Sequence, residues 1–210
     1  MKKIRIAIAV TLFTFVATFN SFAQNPASIL SKAQNALLAQ GGAQVNFTSK
    51  INTPGRSTIE VVNGTLHIQG ENFRLEYGDI VAAYSGRLLS YYDSTENTLT
   101  MSTPSQDELL QINPLIFLAS QGKGYKVVEN GQFKGGYSLR FIPIKKTGVK
   151  FFTAQFYSNS SLPGSVNIET TDGSKIDIKL RDVMPGRKYA DSVFRLNRSN
   201  YPKVEVIDLR

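Results

Sequence analysis

Apolar and polar residues alternate with a period of two along much of this chain, and this pattern limits the fold more than any other feature. The clearest run places Ile176, Ile178 and Leu180 between charged residues from Lys175 to Arg181. Similar alternation occurs in the stretches 45–51, 72–77, 98–101 and 137–141. Successive side chains of a β-strand point to opposite faces, so the pattern indicates half-buried antiparallel strands.

Turn-forming dipeptides separate these stretches. They include Gly78-Asp79, Asn130-Gly131, Pro163-Gly164 and Asp172-Gly173. Short strands that follow one another without long helices form a meander and not a set of βαβ units. The sequence therefore predicts a mainly β, antiparallel fold, and residues 24–210 contain neither an internal repeat nor a linker that would divide them into two domains.

A helix is predicted at residues 26–40. Asn25 suits the N-cap, Pro26 suits the first helical position, and Gly41-Gly42 suits the end. Apolar residues recur inside the stretch at helical spacing and give one stripe that must lie on another apolar surface. The stripe contains Ile29, Leu30, Ala33, Ala36 and Leu37.

Two shorter helices are predicted in the middle of the chain, at residues 104–111 and 114–121. Thr103 and Gln106 have the spacing of a capping box, and Asn113-Pro114 repeats the combination of cap and proline. The second helix is apolar almost all round, so it must be covered on more than one side. Its apolar residues are Leu115, Ile116, Phe117 and Leu118.

The N-terminus has the three parts of a secretory signal peptide. Basic residues precede an apolar run from Ile6 to Phe19, and Ser21 and Ala23 are small residues at the expected cleavage positions. We therefore predict that residues 1–23 are removed and that the protein works outside the cytoplasm; an uncleaved anchor is the alternative. The sequence contains no cysteine, which excludes disulfides and lipidation of the chain itself.

Residues suited to catalysis or metal binding are scarce. His67 is the single histidine, so a zinc site built from histidine and cysteine is excluded. Gly-x-Ser-x-Gly is absent, and the Ser-x-x-Lys match at 120–123 is interrupted by Gly122. We predict that the protein is not an enzyme and needs no metal or cofactor; a hydrolase of lipids or glycans is the least favoured alternative.

Positive charge is concentrated in the C-terminal part. Residues 24–130 contain 7 Lys/Arg against 9 Asp/Glu, whereas residues 131–210 contain 14 against 7. Such a basic half suits an anionic lipid or an acidic protein surface, or it is simply a solvated face. Nucleic acid is discounted because an exported protein seldom meets it.

Several strands carry apolar residues on both faces, as at Leu88-Leu89, Tyr91-Tyr92 and Phe151-Phe152. This surplus fits an ordinary filled core, and it fits equally a sheet and a helical lid that enclose a cavity for an apolar ligand. Periodicity does not separate the two because the wall of a cavity and the wall of a core consist of the same residue types.

The order of several motifs resembles the periplasmic outer-membrane lipoprotein carrier family, and the chain is in this sense LolA-like. The resemblance covers nearly all of residues 24–210. The motifs are Gly64–Ile68, Asn72–Tyr77, Ser85–Asp93, Asn97–Thr100, Asn113–Leu118, and Phe194 followed by Tyr201–Asp208.

The resemblance implies a single curved antiparallel sheet, an unclosed half-barrel, with an α-helical lid over its concave face. It implies a monomeric periplasmic carrier that receives the acyl chains of lipoproteins from an inner-membrane ABC transporter and passes them to an outer-membrane acceptor. We assign to the acyl cavity Phe47, Phe73, Leu75, Leu115, Ile116, Phe117 and Leu118. We assign to the inner face of the lid helix Ile29, Leu30, Ala33 and Leu37.

One departure from the family concerns the lid. Family members often have an arginine just before the turn at Gly70, where it holds the lid shut, whereas this chain has Gln69. Arg74 is close, but strand alternation places it on the face opposite Phe73. A looser lid is therefore expected. An envelope lipid sensor or a protein-interaction module with the same fold is the alternative to a carrier.

Overall fold

Residues 25–210, which the computed structural model describes, form one twelve-stranded sheet with helices lying on it. The α-helices are α1 (Pro26–Leu38), α2 (Gln106–Ile112) and α3 (Ile116–Ala119). The first six strands are β1 (Gly42–Asn52), β2 (Glu60–Gln69), β3 (Asn72–Tyr77), β4 (Ile80–Tyr84), β5 (Leu89–Asp93) and β6 (Thr98–Ser102). The next five are β7 (Tyr125–Phe133), β8 (Gly136–Pro143), β9 (Val149–Tyr157), β10 (Pro163–Thr170) and β11 (Lys175–Arg187). Two short 3-10 helices, Asp191–Phe194 and Arg198–Asn200, precede β12 (Glu205–Asp208).

The sheet consists of two meanders joined in the middle. Its strand order is β12-β6-β5-β4-β3-β2-β1-β11-β10-β9-β8-β7, so β1 pairs with β11 and links the two halves. Neighbouring strands are antiparallel except for β12, which runs parallel to β6. The two edges, β12 and β7, are not paired with each other. The predicted mainly β, unclosed antiparallel sheet is confirmed, and the predicted signal peptide lies outside the described residues.

The sheet has an inner face, on which the helices lie, and an outer face. Ala82 belongs to the main apolar cluster on the inner face, whereas its neighbour Ala83 belongs to a smaller cluster on the outer face. The smaller cluster forms because Leu196 and Val204 from the C-terminal segment pack against β4 and β6. Elsewhere the outer face is mainly polar, as the alternating sequence predicts.

The first helix begins where the sequence predicts. The Asn25 side chain accepts a hydrogen bond from the Ala27 N–H at 3.0 Å, and the helix ends at Leu38, two residues earlier than predicted. Its apolar stripe is buried against the sheet and α3. Four residues of the predicted stripe are buried, namely Ile29, Leu30, Ala33 and Leu37, whereas the fifth, Ala36, is half-buried.

The middle helices are shorter than predicted because other residues cap them. Ser105 and Glu108, not Thr103 and Gln106, form the capping box of α2. The Asn113 side chain accepts from the Leu115 N–H, which forms a turn at Pro114 and delays the start of α3 to Ile116. No helix among residues 25–210 is long and apolar enough to cross a membrane.

Candidate functional site

The predicted cavity residues meet in one apolar cluster between the sheet and the helices. Phe73 and Leu75 enter it from β3, and Leu115, Phe117 and Leu118 enter it from the α3 region, all of them buried. The lid-helix residues Ile29, Leu30, Ala33 and Leu37 belong to the same cluster. Phe47 and Ile116 lie at its margin and are half-buried.

The centre of the cluster is a group of aromatic rings, of which the sequence analysis assigns only Phe117 to the site. The Phe117 ring lies 4.7 Å from that of Phe141, 5.1 Å from Phe152 and 6.5 Å from Phe156, centroid to centroid. Phe141 and Phe152 are themselves stacked at 4.4 Å. Phe117 therefore docks α3 on β8 and β9, in the second half of the sheet. The alternation in 137–141 predicts an inward Phe141, but it does not predict which helix residue meets it.

Phe73 lies in the first half of the sheet. Its ring stacks on that of Tyr84 at 5.6 Å. Tyr84 in turn lines a small crevice together with Leu109 of α2 and Ile116 of α3. The α2–α3 segment thus lies beside Tyr84 in the first half of the sheet and packs against the second half through Phe117.

The space under the helices is filled in this structure. The crevice beside Tyr84 measures about 20 Å³, and another beside Ile29 and Phe156 measures about 50 Å³. Ligand pockets usually measure about 300–1,000 Å³. Neither crevice is large enough to hold an acyl chain, so the helices cover the apolar cluster in this structure, and we call this arrangement the closed state.

The lid consists of two parts, α1 and the α2–α3 segment, and a glutamine connects them. The Gln34 side chain on α1 donates to the Ala119 carbonyl at 3.1 Å, at the end of α3, and accepts from the Gln121 side chain. Both bonds are between neutral groups, and each contributes about 0.5–1.5 kcal/mol to stability. The sequence analysis missed Gln34 because the helical stripe identifies only the apolar residues of α1.

Gln69 is not part of the lid. Its side chain donates to the Tyr189 carbonyl at 3.3 Å and accepts from the Tyr189 N–H at 3.0 Å, on the outer face. The adjacent Ile68 occupies the inner cluster, so strand alternation turns Gln69 away from the helices. Arg74 also lies on the outer face, where its Nε is 2.6 Å from Glu76 Oε1. The prediction that Arg74 points away from Phe73 is confirmed.

The single histidine is also on the outer face. His67 Nδ1 lies 3.2 Å from the Tyr189 hydroxyl, and the two rings meet edge to face. Burial lowers the pKa of His67, and the nearby Arg74 lowers it further, while Glu76 opposes the shift. Among the described residues no group of three or more His, Asp or Glu side chains is arranged to hold a metal ion.

The inner face contains one pair of interacting hydroxyls. Tyr91 on β5 forms a hydrogen bond with Tyr77 on β3, and burial is the main cause that raises the pKa of Tyr91. Both rings are half-buried and pack against the apolar cluster. The pair adds a neutral polar group beside the apolar cluster.

Comparison with known proteins identifies the family. A family model described as outer membrane lipoprotein carrier protein LolA matches residues 16–168. The chain belongs to this family. The matched range includes α1, α2, α3 and the strands that supply Phe73, Phe141 and Phe152. A search of curated proteins finds no match.

Solved structures with the same fold are distant in sequence. An uncharacterized conserved protein from Thermus thermophilus superposes with a TM-score of 0.59 at 11% identity, covering 88% of this chain and 99% of the other. A DUF1329 family protein from Desulfovibrio piger gives 0.50 at 10% identity, covering 84% and 97%. A LolA superfamily protein from Nitrosomonas europaea gives 0.49 at 13% identity, covering 83% and 99%. The first two of these likenesses, at 11% and 10% identity, show the fold alone, so function must be argued from the site.

Proposed function

We propose that this protein is a periplasmic carrier that takes up the acyl chains of lipoproteins beneath its helices and conveys them from the inner to the outer membrane. The observation that carries the proposal is the continuous apolar cluster between the sheet and three helices, in a chain of the lipoprotein carrier family. The predicted signal peptide supports the location. An inner-membrane ABC transporter as donor and an outer-membrane acceptor follow from the family resemblance.

The helices over the cluster are suited to move. α2 has seven residues and α3 has four, and helices of this length are not stable without packing against a partner. An acyl chain that replaces Phe117 and Leu118 against the sheet gains about 0.8 kcal/mol for each buried methylene group. Uptake therefore exchanges one set of apolar contacts for another, and neither uptake nor release requires covalent chemistry.

Binding of acyl chains is the direct test of the carrier function. The protein, expressed with residues 1–23 and purified from the periplasm, is examined by native mass spectrometry for co-purified acylated species. It is then titrated with a fluorescent diacylated cysteine peptide and with the same peptide lacking acyl chains. We expect one acylated peptide per chain and no binding of the other. Absence of acylated species in the first experiment and equal weak binding in the second would contradict the proposal.

An envelope lipid sensor or protein-interaction module is the second candidate. An open groove of about 510 Å³ crosses β1, β2, β3 and β11. Its lining is mainly polar and includes Asn46, Thr65, Glu76 and Arg181, together with the rings of Phe47 and Tyr77. A groove of this character suits a peptide better than an acyl chain. Recovery of one stoichiometric envelope protein with the purified chain, without any lipid, would favour this second function over the first.

A further inference from the structure

Asn113 is a fully buried polar residue inside the lid. It connects α2 to α3 and is 0% exposed. Apolar side chains surround it in sequence and are buried with it, among them Leu110, Leu115 and Phe117. A polar side chain in such a position requires a reason, because burial of an amide without hydrogen bonds is unfavourable.

Three of the four hydrogen-bonding groups of Asn113 have structural partners. Its N–H donates to the Leu109 carbonyl at 2.7 Å, and its carbonyl accepts from the Ile116 N–H at 3.1 Å. Its Oδ1 accepts from the Leu115 N–H at 3.0 Å, and this bond fixes the orientation of the amide. The fourth group, Nδ2, has no acceptor among the described residues.

The turn needs only the oxygen of this side chain. An aspartate or a serine also supplies an acceptor for a backbone N–H two residues later. The nitrogen of Asn113 is therefore surplus to the fold and leaves a buried donor unsatisfied. Ligand sites are mostly apolar with a small number of polar groups that fix the orientation of the ligand, and this donor has that character.

The other buried nitrogen without a partner in the described chain has a different setting. Arg140 Nε belongs to a guanidinium that lies over the Phe151 ring, 3.8 Å from its centroid. Arg140 and Phe151 alternate with the inward Phe141 and Phe152, so they lie on the outer face. Of these two donors, only that of Asn113 lies among the lid residues.

We propose that the Asn113 amide donates a hydrogen bond to the carbonyl oxygen that joins an acyl chain to its head group. The inference rests on the proposed function, since it requires the chain to enter beneath α2 and α3. The ligand class is then an ester- or amide-linked acyl lipid. The carbonyl marks the head end of the chain, so Asn113 fixes how deeply the chain enters and favours acyl over alkyl cargo.

A matched pair of ligands tests this inference on the unmodified protein. One is a peptide with a diacylglyceryl cysteine, and the other is its dialkyl ether analogue of equal chain length. We expect the ester to bind about 3- to 10-fold more tightly, the effect of one neutral hydrogen bond. The infrared stretch of a 13C-labelled ester carbonyl should move to lower frequency on binding.

Asn113→Asp keeps the acceptor for the turn and, in its ionised form, removes the donor. We expect ester affinity to fall to that of the ether, with the ether unchanged and the infrared shift lost. Gln111→Asp is the control, because Gln111 is exposed on α2, and it should retain the preference for ester. Circular dichroism shows whether the Asn113→Asp variant folds. If it does not fold, the ligand pair and the infrared shift measured on the unmodified protein decide whether Asn113 binds the acyl carbonyl.

The outcomes separate this inference from the proposed function. Equal binding of ester and ether by the unmodified protein, without an infrared shift, would overturn the role of Asn113 and leave the carrier function standing. Failure of both ligands to bind would overturn the carrier function and the inference together.

Discussion

At the scale of single residues, Phe73 belongs both to the candidate site and to the hydrophobic core. It is 0% exposed and stacked on Tyr84, so it is both a candidate cavity residue and a core residue of the closed state. The sequence analysis treats these as separate possibilities. In a lid that opens and closes they are the same residue in two states, and each substitution at Phe73 must be interpreted with both in mind.

Replacement of Phe73 by glutamate should destabilise the closed state strongly. The substitution removes a buried ring, which costs about 3–5 kcal/mol for truncation to alanine, and it adds a charge that burial opposes. We expect a fall of at least that size in the free energy of unfolding measured with urea. The control is Ile144→Glu, because Ile144 is 71% exposed and should change stability by less than about 0.5 kcal/mol. Equal stability of the two variants would place Phe73 at the surface.

His67 should make stability depend on pH. Burial lowers the pKa of His67 in the folded protein below its ordinary value of 6.5, so the unfolded chain binds a proton more readily. The contribution of the neutral His67 ring to the free energy of unfolding is complete above about pH 6.5. It is lost as the pH falls from there through the pKa of His67 in the folded protein. Arg74, Glu76 and Tyr189 are the titratable groups that face the ring.

The measurement is urea unfolding at about pH 7.5 and about pH 5.5, which bracket the ordinary histidine pKa. The free energy of unfolding of the native protein should fall more between these values than that of His67→Gln. The control Arg187→Gln changes an exposed charge and should keep the native slope. A steeper fall in the His67 variant would mean that protonation favours the folded state.

At the scale of helices and strands, the link between α1 and α3 replaces the arginine expected from the family. Gln34 joins α1 to the carbonyl of Ala119 and to the Gln121 side chain with neutral bonds only. Charged hydrogen bonds contribute about 1.5–3 kcal/mol, and neutral ones about half as much. A loose lid is therefore still expected, although the residue responsible is on a helix and not at the turn before β3.

Gln34→Leu should loosen the lid without unfolding the sheet. Loss of two neutral hydrogen bonds removes about 1–3 kcal/mol from the closed state, which corresponds to about 5- to 150-fold faster hydrogen exchange in residues 116–122. Exchange in β1 and β11 should not change. Asn35→Leu alters the exposed neighbour on the same helix and should leave all rates as they are. Unchanged exchange in residues 116–122 of the Gln34 variant would exclude this link as a latch.

The sequence predicts most of the helices and strands, but it does not predict which strands pair with each other. Alternation identifies the inward residues of a strand, and it places Phe73 and Phe141 correctly because each side chain has only two directions available. It does not identify which strands meet, so the pairing of β1 with β11 and the parallel pairing of β12 were not foreseen. The length of α3 was overestimated because Asn113 competes for the backbone N–H of Leu115.

At the scale of the whole molecule, as described for residues 25–210, the lid spans two half-sheets that meet along β1 and β11. Ile116 of the lid lies across a small crevice from Tyr84 of the first half, and Phe117 packs on Phe141 and Phe152 of the second half. Because α1 lies on β1 and β11, where the halves meet, the α2–α3 segment and α1 must both move away from the sheet to uncover an apolar surface that continues across both halves. We propose that an acyl chain lies on that surface. In this structure the lid covers it.

A cross-link that prevents this movement should abolish acyl uptake. The sequence contains no cysteine, so Gln34→Cys combined with Gln121→Cys introduces the only two thiols of the chain. Their side chains adjoin in the closed state, and a short bismaleimide should join them irreversibly. We expect the cross-linked protein to lose binding of a fluorescent diacylated peptide, while the same double variant before treatment binds it.

Each single-cysteine variant, treated with the same reagent, controls for modification without cross-linking and should bind the peptide normally. Circular dichroism of the cross-linked protein should match that of the untreated double variant, since the link preserves the closed arrangement. We expect the cross-linked protein to lose peptide binding because the crevices of the closed state are too small for an acyl chain. They measure about 50 Å³ beside Ile29 and about 20 Å³ beside Tyr84. Full binding by the cross-linked protein would mean that acyl chains enter by a route that leaves α1 and α3 in contact.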